Sequence, residues 1–369
     1  MSAAFRFGIE EEYFLVDART KLMPQSVPRA FFDAAKAATD GRVSPEFLQA
    51  QIEVISSPHC ETADARQELR HLRRTVSTVA AQHGLAILAA GTHPTGFWRS
   101  TQQTPKKRYD AVMQDLQMVG QRDLMCGLHV HVELPDPDER IDVMYRMLPY
   151  LPLFLALSTS SPFWQARRTG LKGYRLAAYD ELPRSGVPEL FRTRAEFDAY
   201  VSALVRAGII EDSSFIWWAI RPSLLNPTLE LRIPDSCTLV EDAIAIAALY
   251  RTIARHLYAN RWCNADLTTV GRALIVENKW QAQRNGVQAV FATENGPVTV
   301  AEMLETVIDQ TAADAAALGS AGEIDRCRAI AASGTSADAQ LAIYEAHASK
   351  DRDAALSAVV DWITTATLM

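Results

Sequence analysis

FRFGIEEEYFLVD, residues 5–17, sets three consecutive carboxylates, Glu10, Glu11 and Glu12, inside a run of aromatic and β-branched residues. The composition is that of a strand, and a strand sends alternate side chains to opposite faces. Glu10 and Glu12 therefore point one way, with Ile9, Tyr13 and Leu15 on the other face. Glu11 shares that apolar face and needs either a sheet edge or an arginine partner.

Three further stretches repeat the division. In CGLHVHVEL (126–134), Leu128, Val130, Val132 and Leu134 oppose His129, His131 and Glu133. In TLELRIPD (228–235), Leu229, Leu231 and Ile233 oppose Glu230 and Arg232. In QIEVI, Ile52 and Val54 oppose Gln51 and Glu53. Each strand has an apolar face for helices to cover and a polar face. A solvated face mixes Lys, Thr, Ser and Gln with both signs of charge. Here it holds Glu10, Glu12, Glu53, Glu230, two histidines and one arginine. Two carboxylates about 7 Å apart along a strand repel by roughly 2 kcal/mol at an effective dielectric near 20. Gathering four of them calls for divalent cations, and oxygen ligands with one imidazole suit Mg²⁺ or Mn²⁺.

The 369 residues are 48% hydrophobic and 22% charged, with a net charge of −7. That balance gives no basic surface for nucleic acid or for an anionic membrane. The N-terminus lacks the apolar core of a signal peptide. The longest uncharged run, 147–166, is interrupted by Pro149, Pro152 and Pro162 and does not read as a membrane span. The five cysteines show no CxxC or metal-type spacing and read as small buried residues of a reducing compartment, so the expected location is the cytoplasm. No GxxxxGK[ST], GxGxxG or GxSxG motif is present.

Residues 63–84 space Leu69, Leu72, Val76 and Val79 as one helix face, with Gly84 as a C-cap. A second helix is expected from Pro137 to about Leu157. The Gly-, Pro- and Ser-rich stretch 158–192 reads as a long loop and a candidate lid, carrying Arg175 as a substrate clamp. VENKWQAQRNG (276–286) reads as a helix offering Asn278, Lys279 and Arg284 to phosphate or substrate, with Trp280 as core. Beyond Val240 the chain is helical and alanine-rich. Strands first and helices later give an α+β class, one domain over 1–369 with an antiparallel sheet backed by helices.

The blocks GIEEEYFLVD, QIEVISSP, GTHP, CGLHVHVEL, TLELRIPD and ENKWQAQRNG together resemble the bacterial carboxylate–amine ligases of the type 2 glutamate–cysteine ligase family. The resemblance implies a glutamine-synthetase-like catalytic fold, with a curved antiparallel sheet whose concave face holds ATP, metals and an amino acid. It implies Mg²⁺ on Glu10, Glu12, Glu53, His129 and Glu230, and Arg232 on the γ-phosphate. It also implies an acyl-phosphate mechanism, weak glutamate–cysteine ligase activity and a homodimer. Gln281 departs from the pattern, which leads one to expect arginine after the tryptophan. From the residues alone, a metal-dependent hydrolase and a non-catalytic scaffold are the rival readings.

Overall fold

The computed structural model describes residues 5–348 and 351–369. Its centre is β1 (Phe7–Asp17), long enough to be paired along different stretches by β3 (Gln51–Ile55), β4 (Leu85–Leu88) and β5 (Leu128–Glu133). Adding β2 (Val43–Pro45), β6 (Ile220–Pro222) and β7 (Thr228–Leu231) gives a seven-stranded sheet. Its order is β6-β7-β5-β1-β3-β2, with β4 also paired to β1, and every pairing is antiparallel.

The expected faces are present. Ile9, Tyr13, Leu15, Ile52, Val54, Val130, Val132, Leu229 and Leu231 all enter one core. Over that core lie α1 (Thr62–Gln82), with Leu69, Leu72 and Val76 buried, and α3 (Pro137–Met147), which follows the exposed α2 (Lys107–Leu116) in the chain. Helix α1 stops at Gln82, and Gly84 follows at φ +71°, the left-handed conformation a glycine C-cap supplies. The opposite face changes character along β1. After Glu12 come Phe14 and Val16, which join a second core with Leu88, Phe163 and the C-terminal residues Leu356, Val359 and Ile363. Acids occupy only the stretch between the two cores.

Glu11 is fully buried on the helix-covered face, and the arginine it needs is Arg73 of α1. Arg73 Nη2 and Nε donate to the two Glu11 oxygens at 2.6 and 2.9 Å. The remaining guanidinium hydrogens reach the carbonyls of Cys237, Thr238 and Thr367 at 2.7, 2.8 and 3.0 Å. Tyr13 donates its hydroxyl to the same carboxylate. One ion pair thus ties β1 and α1 to the chain after β7 and to the C-terminus.

One expectation changes here. The 158–192 stretch is not an open loop: Ser158–Phe163 are buried, and it contains α4 (Tyr174–Tyr179). Ser160 and Ser161 donate to the buried Asp235 carboxylate at 3.0 and 2.6 Å, and Gln340 donates to the Ser160 carbonyl at 2.9 Å. That portion is anchored. The alanine-rich helices also spend their apolar surface inside the chain. Helix α5 (Val240–Ala259) is buried along most of its length, and the last helix supplies the second core.

Removing one partner of a buried ion pair typically costs about 3–5 kcal/mol. Glu11→Gln is therefore expected to lower unfolding free energy by roughly that amount in urea melts while leaving metal binding by the folded protein unchanged. A variant as stable as the wild type would show that the pair does not brace the sheet.

Candidate active site

The register of four strands sets the cleft. Across β1 and β5, Glu10 faces His129; across β1 and β3, Glu12 faces Glu53; across β7 and β5, Glu230 faces His131. Facing residues on neighbouring strands stand about 5 Å apart, so pairing alone concentrates these groups. One ligand atom each from Glu10, His129 and Glu230 lies within 4.8 Å of the others, and the same holds for Glu12, Glu53 and His129.

His129 is buried, and neither ring nitrogen has a hydrogen-bond partner. Its Nδ1 is 3.5 Å from Glu10 and its Nε2 is 3.7 Å from Glu12. Two ligands each about 2.1 Å from one Mg²⁺ stand roughly 3–4 Å apart, so these separations fit a shared ion better than a direct bond. The residues therefore fit divalent cations. Gly127, just before β5, leaves the required room: a Cβ there would meet Arg175 Nη2 at 2.3 Å and His129 Nε2 at 3.1 Å.

Charge is divided along the wall. Burial opposes ionisation of Glu10, but the neighbouring imidazoles of His129 and His131 outweigh it and hold the carboxyl below its ordinary range. Burial also opposes ionisation of Glu230, where Arg232 and Arg221 prevail and the carboxyl is held far down. Arg221 Nε lies 2.7 Å from Glu230, and Arg232 pairs with the other oxygen. At the β3 end the balance reverses. Burial and the neighbouring acids raise Glu53, and they push Glu46 up to about 8. Burial, with Glu12, pushes Asp123 up to about 7.

Two cavities flank the acids. One, of about 160 Å³, is lined by Glu12, Glu46, Asp123 and His129, by Arg108, Arg175 and Arg232, and by Tyr109, Tyr179 and Trp217. The other, of about 280 Å³, begins at Glu10 and His131 and is walled by Phe7, Ile9, Pro58 and Pro227. Helix α2 contributes Arg108, Tyr109, Val112 and Leu116 to the first and has no buried residue of its own. Arg175, in the first turn of α4, is held by the Pro234 carbonyl at 3.0 Å.

Asn278 and Arg284 do not line either cavity. They belong to α6 (Thr269–Asn285), where the Asn278 amide is committed to the backbone of Ala292 at 2.9 and 2.7 Å. Arg284 and Trp280 are exposed, and Gln281 donates to Glu277 at 2.8 Å. What this block does is brace α4. Lys279 pairs with Asp180, and the Gln283 carbonyl accepts from Lys172 and Gly173 at 2.8 and 2.9 Å. Sequence reasoning missed Arg221, Glu46, Asp123, Arg108, Tyr109, Tyr179 and Trp217. Arg221 alone had a signal, its alternation in AIRPS.

Residues 6–357 match the model of the glutamate–cysteine ligase family 2, GCS2. The chain belongs to this family. A relative from Bradyrhizobium sp. (strain ORS 278), provisionally named glutamate–cysteine ligase 2, is 55% identical over 364 residues, which cover 99% of this chain and 88% of the relative. A Rhodospirillum rubrum relative with the same provisional name is 44% identical over 373 residues, covering 99% and 96%. Among solved structures, a Francisella tularensis glutamate–cysteine ligase in complex with AMP superposes with a TM-score of 0.72 at 13% identity, covering 99% of this chain and 89% of that one. A bifunctional glutathione synthetase from Pasteurella multocida gives 0.68 at 15%, covering 98% and 52%. The glutamine-synthetase-like ligase fold expected from the strand motifs is the fold of this GCS2 member, and the chain is a ligase. The hydrolase and scaffold readings are set aside.

Glu46 and Asp123 bind protons more tightly in the folded chain than in the unfolded one. Stability contributed by these protons is therefore lost as pH rises from about 4.5 to 8 for Glu46. Metal-free protein in EDTA should lose melting temperature across that interval, and Mg²⁺ should restore it most at the alkaline end. A metal effect equal at pH 5.5 and 8.5 would contradict this account of the acid cluster.

Proposed function

We propose that this GCS2 member is an ATP-dependent carboxylate–amine ligase that forms an amide through an acyl phosphate, with glutamate and cysteine as the first pair to test. The observation that carries the reading is the wall itself. Five expected metal ligands, Glu10, Glu12, Glu53, His129 and Glu230, meet beside Arg232 with a cavity on each side. Glu10, His129 and Glu230 would hold one Mg²⁺ or Mn²⁺, and Glu12 and Glu53 a second, the neutral His129 ring serving one ion through a single nitrogen. When bound, such ions neutralise phosphate oxygens.

The cavity beside Glu10, walled by Ile55, Pro58 and Pro227 with Asn226 and Thr228 to accept or donate hydrogen bonds, suits the base of ATP. The other joins three arginines to three acids, a combination that fits a zwitterionic amino acid. A carboxylate attacking the γ-phosphate brings anion against anion, which preorganised cations must offset. Arg232 supplies that charge where Tyr179 and Glu230 hold it, while Arg175, fixed by backbone carbonyls, orients the carboxylate. The amine then displaces phosphate from the acyl group. Exclusion of water falls to α2, the exposed element over the amino-acid cavity, with α4 as the fixed opposite side.

The reading extends to one catalytic domain over 1–369, acting in the cytoplasm as a homodimer. Five free cysteines suit a reducing compartment, and no helix among the described residues is long and apolar enough to cross a membrane.

The test is ADP formation with ATP, Mg²⁺, glutamate and cysteine, compared with each amino acid alone, together with trapping of the acyl phosphate by hydroxylamine. Arg232→Ala should lower turnover by about 10³-fold, and Arg232→Lys should recover little of it. Glu53→Gln should abolish turnover in a folded protein. Equal rates in wild type and Arg232→Ala would remove Arg232 from phosphoryl transfer.

A further inference from the structure

Away from the acid wall, three side chains form a relay that the ligase reaction does not use. Cys263 Sγ lies 3.5 Å from His256 Nε2, and His256 Nδ1 lies 2.8 Å from Asp314 Oδ2. His256 is in the last turn of α5. Asp314 projects from α7 (Val300–Ala317) and is buried, its other oxygen paired with Arg255. None of the three lines the cavities beside the acids. Cys126, Cys237 and Cys327 are buried and Cys60 is exposed, so Cys263 is half-buried and also in reach of a base.

The residues on either side of Cys263, Trp262 and Asn264, line a third cavity of about 690 Å³ together with Tyr150, Leu267, Phe291 and Met303. Its charged lining residues are Asp266 and Glu294, with no lysine or arginine among them. Trp262 is 76% exposed, and Cys263, between two lining residues of this cavity, is half-buried.

We propose that Cys263, His256 and Asp314 form a thiol-exchange site for small disulfides that carry amino groups. His256 takes the Cys263 proton while Asp314 orients the ring through Nδ1. The thiolate attacks one sulfur of the disulfide; a Cys263–sulfur bond forms as the original S–S bond breaks. The leaving thiolate departs with the bond pair and takes the proton from the imidazolium. No other oxidant is consumed, and excess thiol reverses the exchange. Burial pushes the Cys263 thiol up and Arg146 works against that, so base assistance decides the rate at neutral pH. The other polar groups facing the pair are Tyr150, Asn260 and Arg255.

The experiment uses the full chain with Cys60→Ser, which removes the exposed competitor. Cystamine is added and adducts are followed by intact mass and peptide mapping between pH 6 and 9. One equivalent should add at Cys263, with a pH–rate profile that levels off once the imidazole is neutral. Dithiodiglycolate, an anionic disulfide, should react at least about tenfold more slowly at the acid-lined cavity. His256→Gln should slow cystamine exchange about tenfold or more and leave a rate that climbs with thiol ionisation alone. Should that variant unfold, the plateau and the disulfide preference of the His256-intact chain carry the test. Adducts elsewhere, a profile without the imidazole limb, or equal rates for both disulfides would each overturn the assignment.

Discussion

The pairing of Glu11 with Arg73 is the constraint on which the site depends. It holds the middle acid of three on the helix-covered face, where Tyr13 donates to the same carboxylate and Ile9, Tyr13 and Leu15 share the core. A slip of one residue would carry Glu10 and Glu12 into the core and Glu11 into the cleft. The same guanidinium grips the backbone at Cys237 and Thr238, after β7, so the strand bearing Glu230 is located relative to the strand bearing Glu10 and Glu12. A buried ion pair is weak evidence of net stability, since desolvation offsets much of its attraction. Its value here is specificity of register.

With the register set, the chemistry follows from alternation. Cross-strand partners bring His129 to Glu10 and Glu53 to Glu12, while Arg221 and Arg232 take opposite oxygens of Glu230. The repulsion among acids is met in two ways: cations at the β7 end, and protons on Glu46 and Asp123 at the β3 end. That asymmetry sets uncompensated acids toward β3 and fixed arginine charge toward β7.

Much of this was legible in the chain, because strand periodicity is local. Alternation in IEEEY, LHVHVE and TLELR separates core from cleft without knowledge of the partners, and all five proposed carboxylate and imidazole ligands lie on strands of this kind. Arg73 was not legible, since nothing in a helix face says which strand it meets. Glu46 and Asp123 lie outside any periodic segment, and only folding brings them to Glu12. ENKWQAQRNG misled for a related reason: its helical spacing identifies a face but not its destination. Asn278 and Lys279 turned out to brace a hairpin and the helix carrying Arg175. The 158–192 stretch was misjudged because serines that look solvated are buried around Asp235.

The most direct measurement is anomalous diffraction from crystals grown with Mn²⁺. The account requires anomalous density on the sheet face, one ion bounded by Glu10 and Glu230 and another by Glu12 and Glu53, with His129 on one of them and Glu11 remaining on Arg73. Density coordinated by Glu11, or none on this face at saturating Mn²⁺, would contradict it.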